Sequence, residues 1–100
     1  MNTPLRIDPY VVDTLMADLV GHDRSPSSFL VYLALWSATR GRRGAAAPMS
    51  LSKLAEETGL SKSAVQAGVR NLARRKLIAV TRASRTATPA YQVLRPWRRR

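Results

Sequence analysis

The stretch that decides the fold is MSLSKLAEETGLSKSAVQAGVRNLARRKLI, residues 49–78. It predicts two short helices joined by a tight turn. A serine suited to be an N-cap precedes each helix, and Gly59 supplies the left-handed residue that ends the first one. In the second helix Val65, Val69 and Leu72 recur at helical spacing, so this stripe faces a core.

The opposite stripe of the second helix is polar and mostly cationic. Its members are Lys62, Ser63, Gln66, Arg70 and Arg74. A helix that is held by its apolar face and offers hydrogen-bond donors on the other face has the arrangement needed to enter the major groove of DNA. We therefore interpret residues 62–75 as a recognition helix.

Two further helices are predicted upstream. The first begins at Asp8-Pro9 and closes at Gly21. Its predicted apolar stripe comprises Val12, Leu15, Met16 and Leu19. Two interpretations of this helix stay open: it packs on its own domain, or it is a dimerisation arm. The second begins at Ser25-Pro26 and is apolar almost all round over residues 29–36, so it is predicted to be the central buried helix.

Residues 40–48, RGRRGAAAP, lose periodicity and predict a loop whose arginines are either solvated or touch phosphates. Downstream, residues 77–82 and 89–94 alternate like strands around a polar turn, with Ile78 and Val80 on one face and Tyr91 and Val93 inward. We expect a β-hairpin, to which Met49 can add a short third strand. The tail, RPWRRR, predicts either a fraying end or a basic arm along DNA.

Charge is the informative part of the composition. The chain has 17 basic and 6 acidic residues among 100, a net charge of +11, which favours a polyanionic partner. Residues 1–23 hold one arginine against four aspartates, so acid is concentrated there and residues 24–100 carry +14. The chain has no cysteine and no secretory or membrane-spanning segment is visible, so we expect a cytoplasmic protein.

Residues 26–94 resemble the winged helix-turn-helix domains of bacterial transcription regulators of the multiple-antibiotic-resistance, gluconate-operon and replication-initiator types. The positions that match the shared pattern are Ser50, Leu54, Ala55, Gly59, Leu60, Ser61, Ser63, Ala64, Val65, Val69, Leu72, Leu77 and Ile78. Lys76 departs from it, because the family commonly has glycine there. The resemblance implies a mainly α fold with a small β-hairpin (α+β), preceded here by an extra N-terminal helix.

The leading function is sequence-specific binding of double-stranded DNA, as expected of a small transcriptional regulator. The recognition helix would lie in the major groove and the wing, residues 77–94, at the backbone or minor groove. The predicted DNA-binding residues are Ser50, Ser52, Lys53, Ser61, Lys62, Ser63, Gln66, Arg70, Arg74, Arg82 and Arg85. Gln66 suits adenine and Arg70 suits guanine, whereas the serines and Lys53 at the start of the supporting helix suit phosphates.

Two other functions stay open: a plasmid or phage replication initiator, and a winged-helix module that docks on another protein. A docking module should expose a contiguous apolar patch on the basic face, whereas a DNA reader should present polar side chains there. We predict neither catalysis nor a cofactor, metal or small-molecule site. The single histidine, His22, has no second histidine or cysteine to form a metal site, and Glu56 and Glu57 suit a solvated surface.

Three parts of the chain are expected: an acidic N-terminal helix over residues 1–24, the winged helix-turn-helix domain over 25–95 and a basic tail over 96–100. A homodimer is also expected, because one recognition helix reads only a few base pairs.

Overall fold

The computed structural model describes residues 3–98, and its elements follow the predicted order. An N-terminal helix spans residues 9–22. After it come α1 (Pro26–Thr39), β1 (Ala46–Pro48), α2 (Leu51–Thr58), α3 (Lys62–Arg74), β2 (Ile78–Thr81) and β3 (Ala90–Val93). The strands form an antiparallel sheet in the order β1-β3-β2. The predicted α+β winged-helix architecture is thereby confirmed.

Serine caps start the three α-helices, as their positions in the sequence predicted. The hydroxyl oxygens of Ser25, Ser50 and Ser61 accept hydrogen bonds from backbone N–H groups three residues on. Gly59 ends α2 in the left-handed conformation, with φ 78°, and its N–H donates to the carbonyl of Ala55. Lys76, in the turn after α3, also has a left-handed φ of 60°. The turn therefore has the backbone conformation that glycine, common in the family at this position, would adopt.

The N-terminal helix corrects the predicted apolar stripe. Its backbone forms π-helical hydrogen bonds over Val11–Leu15 and Asp18–His22, from each N–H to the carbonyl five residues before. This wider turn aligns residues four apart. The buried residues are therefore Val11, Leu15 and Leu19, while Val12 and Met16 are 50% and 41% exposed. The expected stripe was wrong at Val12 and Met16 because it assumed 3.6 residues per turn.

Helix α1 lies at the centre of the molecule, as predicted. Phe29, Val31, Tyr32, Leu35 and Trp36 are buried among the N-terminal helix, the other helices and the sheet. The hydroxyl of Tyr32 donates to the carbonyl oxygen of Leu94 at 3.0 Å, which joins α1 to the end of the sheet. Within the apolar stretch of α1, the side chain of Leu30 is not covered by other elements and is 40% exposed.

The sheet differs from prediction in its third strand. Residues 46–48, predicted to be loop, pair with β3 through Ala46 opposite Gln92 and Pro48 opposite Ala90. Met49 follows this strand, and its N–H donates to the carbonyl of Pro89 at 3.1 Å. The hairpin tip, residues 82–89, extends past the core, which is why Val80 is 37% exposed although it shares a face with Ile78.

The tail is ordered over residues 95–98, which differs from the fraying end that was one of the two alternatives for it. Trp97 stacks on Tyr10 with ring centroids 4.4 Å apart, and its Nε1 donates to the Asp8 carboxylate at 3.2 Å. Nε of Arg98 donates to the same carboxylate at 2.9 Å. Residues 95–98 are thus held against the start of the N-terminal helix. Arg99 and Arg100 lie outside the described residues.

Candidate nucleic-acid interface

Helix α3 is fixed by its apolar face. Val65 and Leu72 are fully buried, and Val69 packs against the same core. Between them Gly68 lets α3 approach α1 closely, because a Cβ at this position would lie 3.2 Å from the backbone carbonyl of Ser27. The helix therefore has a defined rotation about its axis, and its other face points away from the core.

That other face is polar and exposed. Lys62, Ser63, Gln66 and Arg70 lie on it, with the small side chains of Ala67 and Ala73 among them. All eleven residues predicted to bind DNA are exposed. Within residues 3–98, Lys62, Gln66 and Arg70 form no side-chain hydrogen bond or ion pair with the protein, so their donors are available to a ligand.

The start of α2 lies beside the hairpin. Ser50 follows Met49, whose backbone bond to Pro89 places this helix terminus next to the wing tip. Ser52 and Lys53 are exposed in its first turn, where backbone N–H groups favour an anion. Lys53 also pairs with Glu57 at 3.4 Å, and both side chains are at least half exposed, so this ion pair is weak.

The wing presents two of the predicted arginines. A guanidinium N–H of Arg82 donates to the carbonyl of Ala87 at 3.4 Å and so braces the tip. Arg85 is exposed at the tip itself. The wing, the start of α2 and the polar face of α3 therefore carry the predicted residues, with the first two adjoining each other.

The C-terminal end of α3 has contacts that the sequence analysis missed. Arg75 donates to Asp18 at 2.5 Å and to Asp23 at 2.6 Å, and Asn71 donates to Asp23 at 3.0 Å. Arg74 in turn donates to the side-chain oxygen of Asn71. Arg75 therefore fastens the N-terminal helix to α3, while Arg74 is exposed but already has a partner. The signal in the sequence was the confinement of four aspartates to the first 23 residues.

Hydrogen bonds and charges around Asp23 and Arg75 keep both side chains ionised. Burial alone would raise the pKa of Asp23, but hydrogen bonds from Asn71, His22 and Arg75 together hold it below its ordinary value. The Asp18 hydrogen bond raises the pKa of Arg75 against the effect of burial. Asp23 and Arg75 are therefore both charged at neutral pH, and the contact between them is an ion pair.

The same aspartates form the one cluster of potential metal ligands found in residues 3–98, together with His22. Both carboxylates are bound by Arg75, and the His22 side chain is 82% exposed with Nδ1 3.1 Å from Asp23. The cluster is thus organised around a guanidinium, with no feature that distinguishes it from a structural ion-pair network.

Comparison with known proteins agrees with this geometry. A family model described as "Helix-turn-helix domain" matches residues 25–78, from the cap of α1 to the first residue of β2. No curated protein and no solved structure matches the chain. The match indicates DNA binding in general, and such domains are typically without enzymatic activity. Over residues 3–98, the helices are each too short or too polar to cross a membrane.

Proposed function

We propose, from the premise that this chain belongs to the helix-turn-helix domain family, that it reads double-stranded DNA sequence-specifically as a small transcriptional regulator. The observation that carries the proposal is the exposed face of α3, which combines cationic and amide donors on a helix whose other face is buried. A helix with these two faces can lie in the major groove while its support stays outside.

Each predicted residue has a role in this arrangement. Gln66 can form two hydrogen bonds with adenine, and Arg70 can form two with guanine O6 and N7. Lys62 and Ser63 lie one turn nearer the start of α3, where base edges and phosphates both come within reach. The remaining residues would contact phosphates and set the register: Ser50, Ser52, Lys53, Ser61, Arg74, Arg82 and Arg85.

The distribution of exposed apolar side chains favours DNA over a docking protein. The described large hydrophobic residues that are exposed are Leu5, Ile7, Tyr10, Val12, Met16, Val20, Leu30 and Val80. None of these lies on α3, and only Val80 belongs to the wing. The basic face therefore lacks the apolar patch that a docking module would present. A replication initiator would use the same chemistry, so the identity of the target sequence separates it from a regulator.

The test is selection of bound sequences from a random pool of DNA duplexes. We expect the wild-type chain to enrich one motif. Arg70→Ala should weaken binding to that motif by about 1–3 kcal/mol and relax the preference at one base, because a bidentate base contact is lost. Arg85→Ala is the matched control, since it should weaken binding to all sequences alike and leave the motif unchanged.

An Arg70→Ala motif identical to that of the wild type would contradict the base-reading role of Arg70. The salt dependence of binding is a second measurement. Neutralising several phosphates releases counterions, so the affinity should fall steeply as salt rises to physiological concentration. An affinity independent of salt would contradict the whole electrostatic interpretation.

A homodimer is part of the proposal. The π-helical geometry of the N-terminal helix aligns Val12, Met16 and Val20 in a stripe beside its buried residues, and they are 50%, 41% and 38% exposed. Pairing of this stripe with a second copy would cover apolar surface and supply a second recognition helix. Two such helices about 34–36 Å apart would read the two halves of a palindrome.

A further inference from the structure

Six arginines form a second basic surface that the recognition helix does not include. They are Arg6, Arg40, Arg42, Arg43, Arg95 and Arg98. They line three adjoining depressions. Arg6 and Arg40 line both the first and the second depression, and Arg95 and Arg98 line both the second and the third. Among the described residues that line them, Asp8 is the one acid. We call these six residues the terminal arginine surface.

The strand register places this surface at the far end of the sheet from the wing tip. Ala46, at the start of β1, pairs with Gln92 near the end of β3, so residues 40–45 lie beside the end of β3 and residues 95–98. The wing tip and the start of α2 lie at the other end of β3, beside Pro89. The molecule therefore has two groups of cations, separated along its sheet.

Several of these guanidinium groups are held in place, and those of Arg40 and Arg95 have no carboxylate partner within residues 3–98. Arg95 lies over the ring of Trp36, 4.7 Å from its centroid, and Arg40 donates to the backbone carbonyl of Thr3 at 2.7 Å. Arg98 uses Nε for Asp8 and keeps its other donors. Groups that are ordered beforehand lose less side-chain entropy when they bind an anion.

We propose that the terminal arginine surface binds the phosphate backbone of a second DNA duplex while α3 reads the first. This inference rests on the proposed function. Arginine-rich, polar surfaces are typical of protein–DNA contacts, whereas the core of a protein–protein interface is apolar. The exposed large apolar side chains that adjoin the surface are Leu5, Ile7 and Tyr10, which are 38%, 38% and 36% exposed, and this is too little to form such a core. The chain would then bridge two duplexes.

A capture experiment tests the bridge. A duplex that carries the selected motif is immobilised and saturated with protein, and a fluorescent duplex of unrelated sequence is then added. We expect the wild-type chain to capture the second duplex. The double variant R42Q/R43Q should capture about tenfold less, and the slope of log affinity against log salt for the second duplex should be shallower by about two, one per lost phosphate contact.

The control variant is R24Q/K76Q, which removes the same charge from two exposed residues outside both basic surfaces. All four side chains lack hydrogen bonds and ion pairs to residues 3–98, so neither variant should unfold the chain. Circular dichroism and the affinity for the immobilised motif check that both variants keep the fold and the first site.

Capture by R42Q/R43Q equal to that of the control would overturn the inference. The second duplex would then be held by another copy of the chain, and the arginines would serve an acidic protein instead. Failure of the proposed function has a different signature, namely a random-pool selection that enriches no motif. Loss of capture in R42Q/R43Q with an unchanged motif would support both proposals.

Discussion

Gly68 sets how closely α3 approaches the central helix. A Cβ at this position would lie 3.2 Å from C and O of Ser27 and 3.3 Å from N of Ser28. These are backbone atoms of the capped first turn of α1, so they cannot move aside as the end of a flexible side chain could. Gly68→Ala gains about 1 kcal/mol of helix propensity but incurs an overpacking cost of about 1–3 kcal/mol. We expect a net loss of about 1 kcal/mol in the free energy of unfolding, measured by urea denaturation.

Gly21→Ala is the matched control for this prediction. Gly21 also lies in a helix, but a Cβ added there would have no neighbouring atom within 4 Å. The same substitution should therefore stabilise the chain by about 0.5–1 kcal/mol, because alanine loses less backbone entropy than glycine on folding. Equal shifts in the two variants would show that the close approach at Gly68 has no energetic effect.

Local signals explain which residues could be predicted from the sequence. The serine caps and Gly59 act on backbone groups within five residues of themselves, so their roles are written in the adjacent sequence. Arg75 could not be assigned in the same way, because its partner Asp23 is 52 residues away in the chain. A cation near the end of a helix interacts favourably with the helix dipole whatever its other partners, so the position of Arg75 alone does not indicate the two carboxylates that it binds in the folded chain.

At the scale of elements, the contact between the N-terminal helix and α3 depends on ionisation. The Asp23 side chain is 9% exposed and accepts bonds from Arg75 and Asn71. Its pKa in the folded chain is below the value of about 3.9 expected in the unfolded chain. The folded state therefore binds fewer protons, and the stabilisation is present above that unfolded value and lost as pH falls through the folded pKa.

Asp23→Asn should reveal this dependence. At pH 7 we expect it to reduce the free energy of unfolding by about 1–3 kcal/mol, because a charge-assisted hydrogen bond becomes a neutral one. As pH falls from about 4 through the lower folded pKa, the difference from the wild type should shrink, since Asp23 is protonated first in the unfolded chain and then in the folded one. Asp13→Asn, at an exposed position of the same helix, is the control. A difference between Asp23→Asn and wild type that stays constant with pH would contradict the role given to this carboxylate.

The elements differ in how far the sequence determines them alone. Helices α2 and α3 have strong periodicity and caps, and the exposed face of α3 follows from that periodicity. Helix α1 is instead marked by its Ser25 cap and a continuous apolar stretch. Strand β1 has a sequence, Ala46–Pro48, with little β propensity, and it exists because the edge of β3 offers backbone partners. The π-helical turns of the N-terminal helix have no local signature that distinguishes them from α-helical ones.

Taken as a whole, the molecule joins its two chain ends. Tyr10 and Trp97 stack, and Asp8 binds the side chains of Trp97 and Arg98 from 89 and 90 residues away. Burial alone would raise the pKa of Asp8, but hydrogen bonds from the backbone of Tyr10 and from these two side chains lower it. This contact orders the terminal arginine surface and keeps the N-terminal helix beside the core. No composition rule predicts it, because a cationic tail usually stays solvated.

The N-terminal helix therefore belongs to the folded core, and its removal is a poor test of dimerisation. Deleting residues 1–24 would take Val11, Leu15 and Leu19 out of the core and would confound loss of pairing with loss of the fold. A substitution on the outer stripe separates the two effects. Met16 lies at the middle of that stripe, between Val12 and Val20, and its side chain makes the sharpest target.

We expect the wild-type chain to have a mass of about 22 kDa by light scattering, twice the 11.1 kDa of one chain. Met16→Glu should give the monomer mass with an unchanged circular dichroism spectrum, because a carboxylate in a paired apolar stripe would lose its hydration. Leu30→Glu is the control: Leu30 is 40% exposed on α1, away from the stripe, so this variant should stay dimeric. A wild-type mass of 11.1 kDa at every concentration would refute the dimer, and the chain would then read a single half-site.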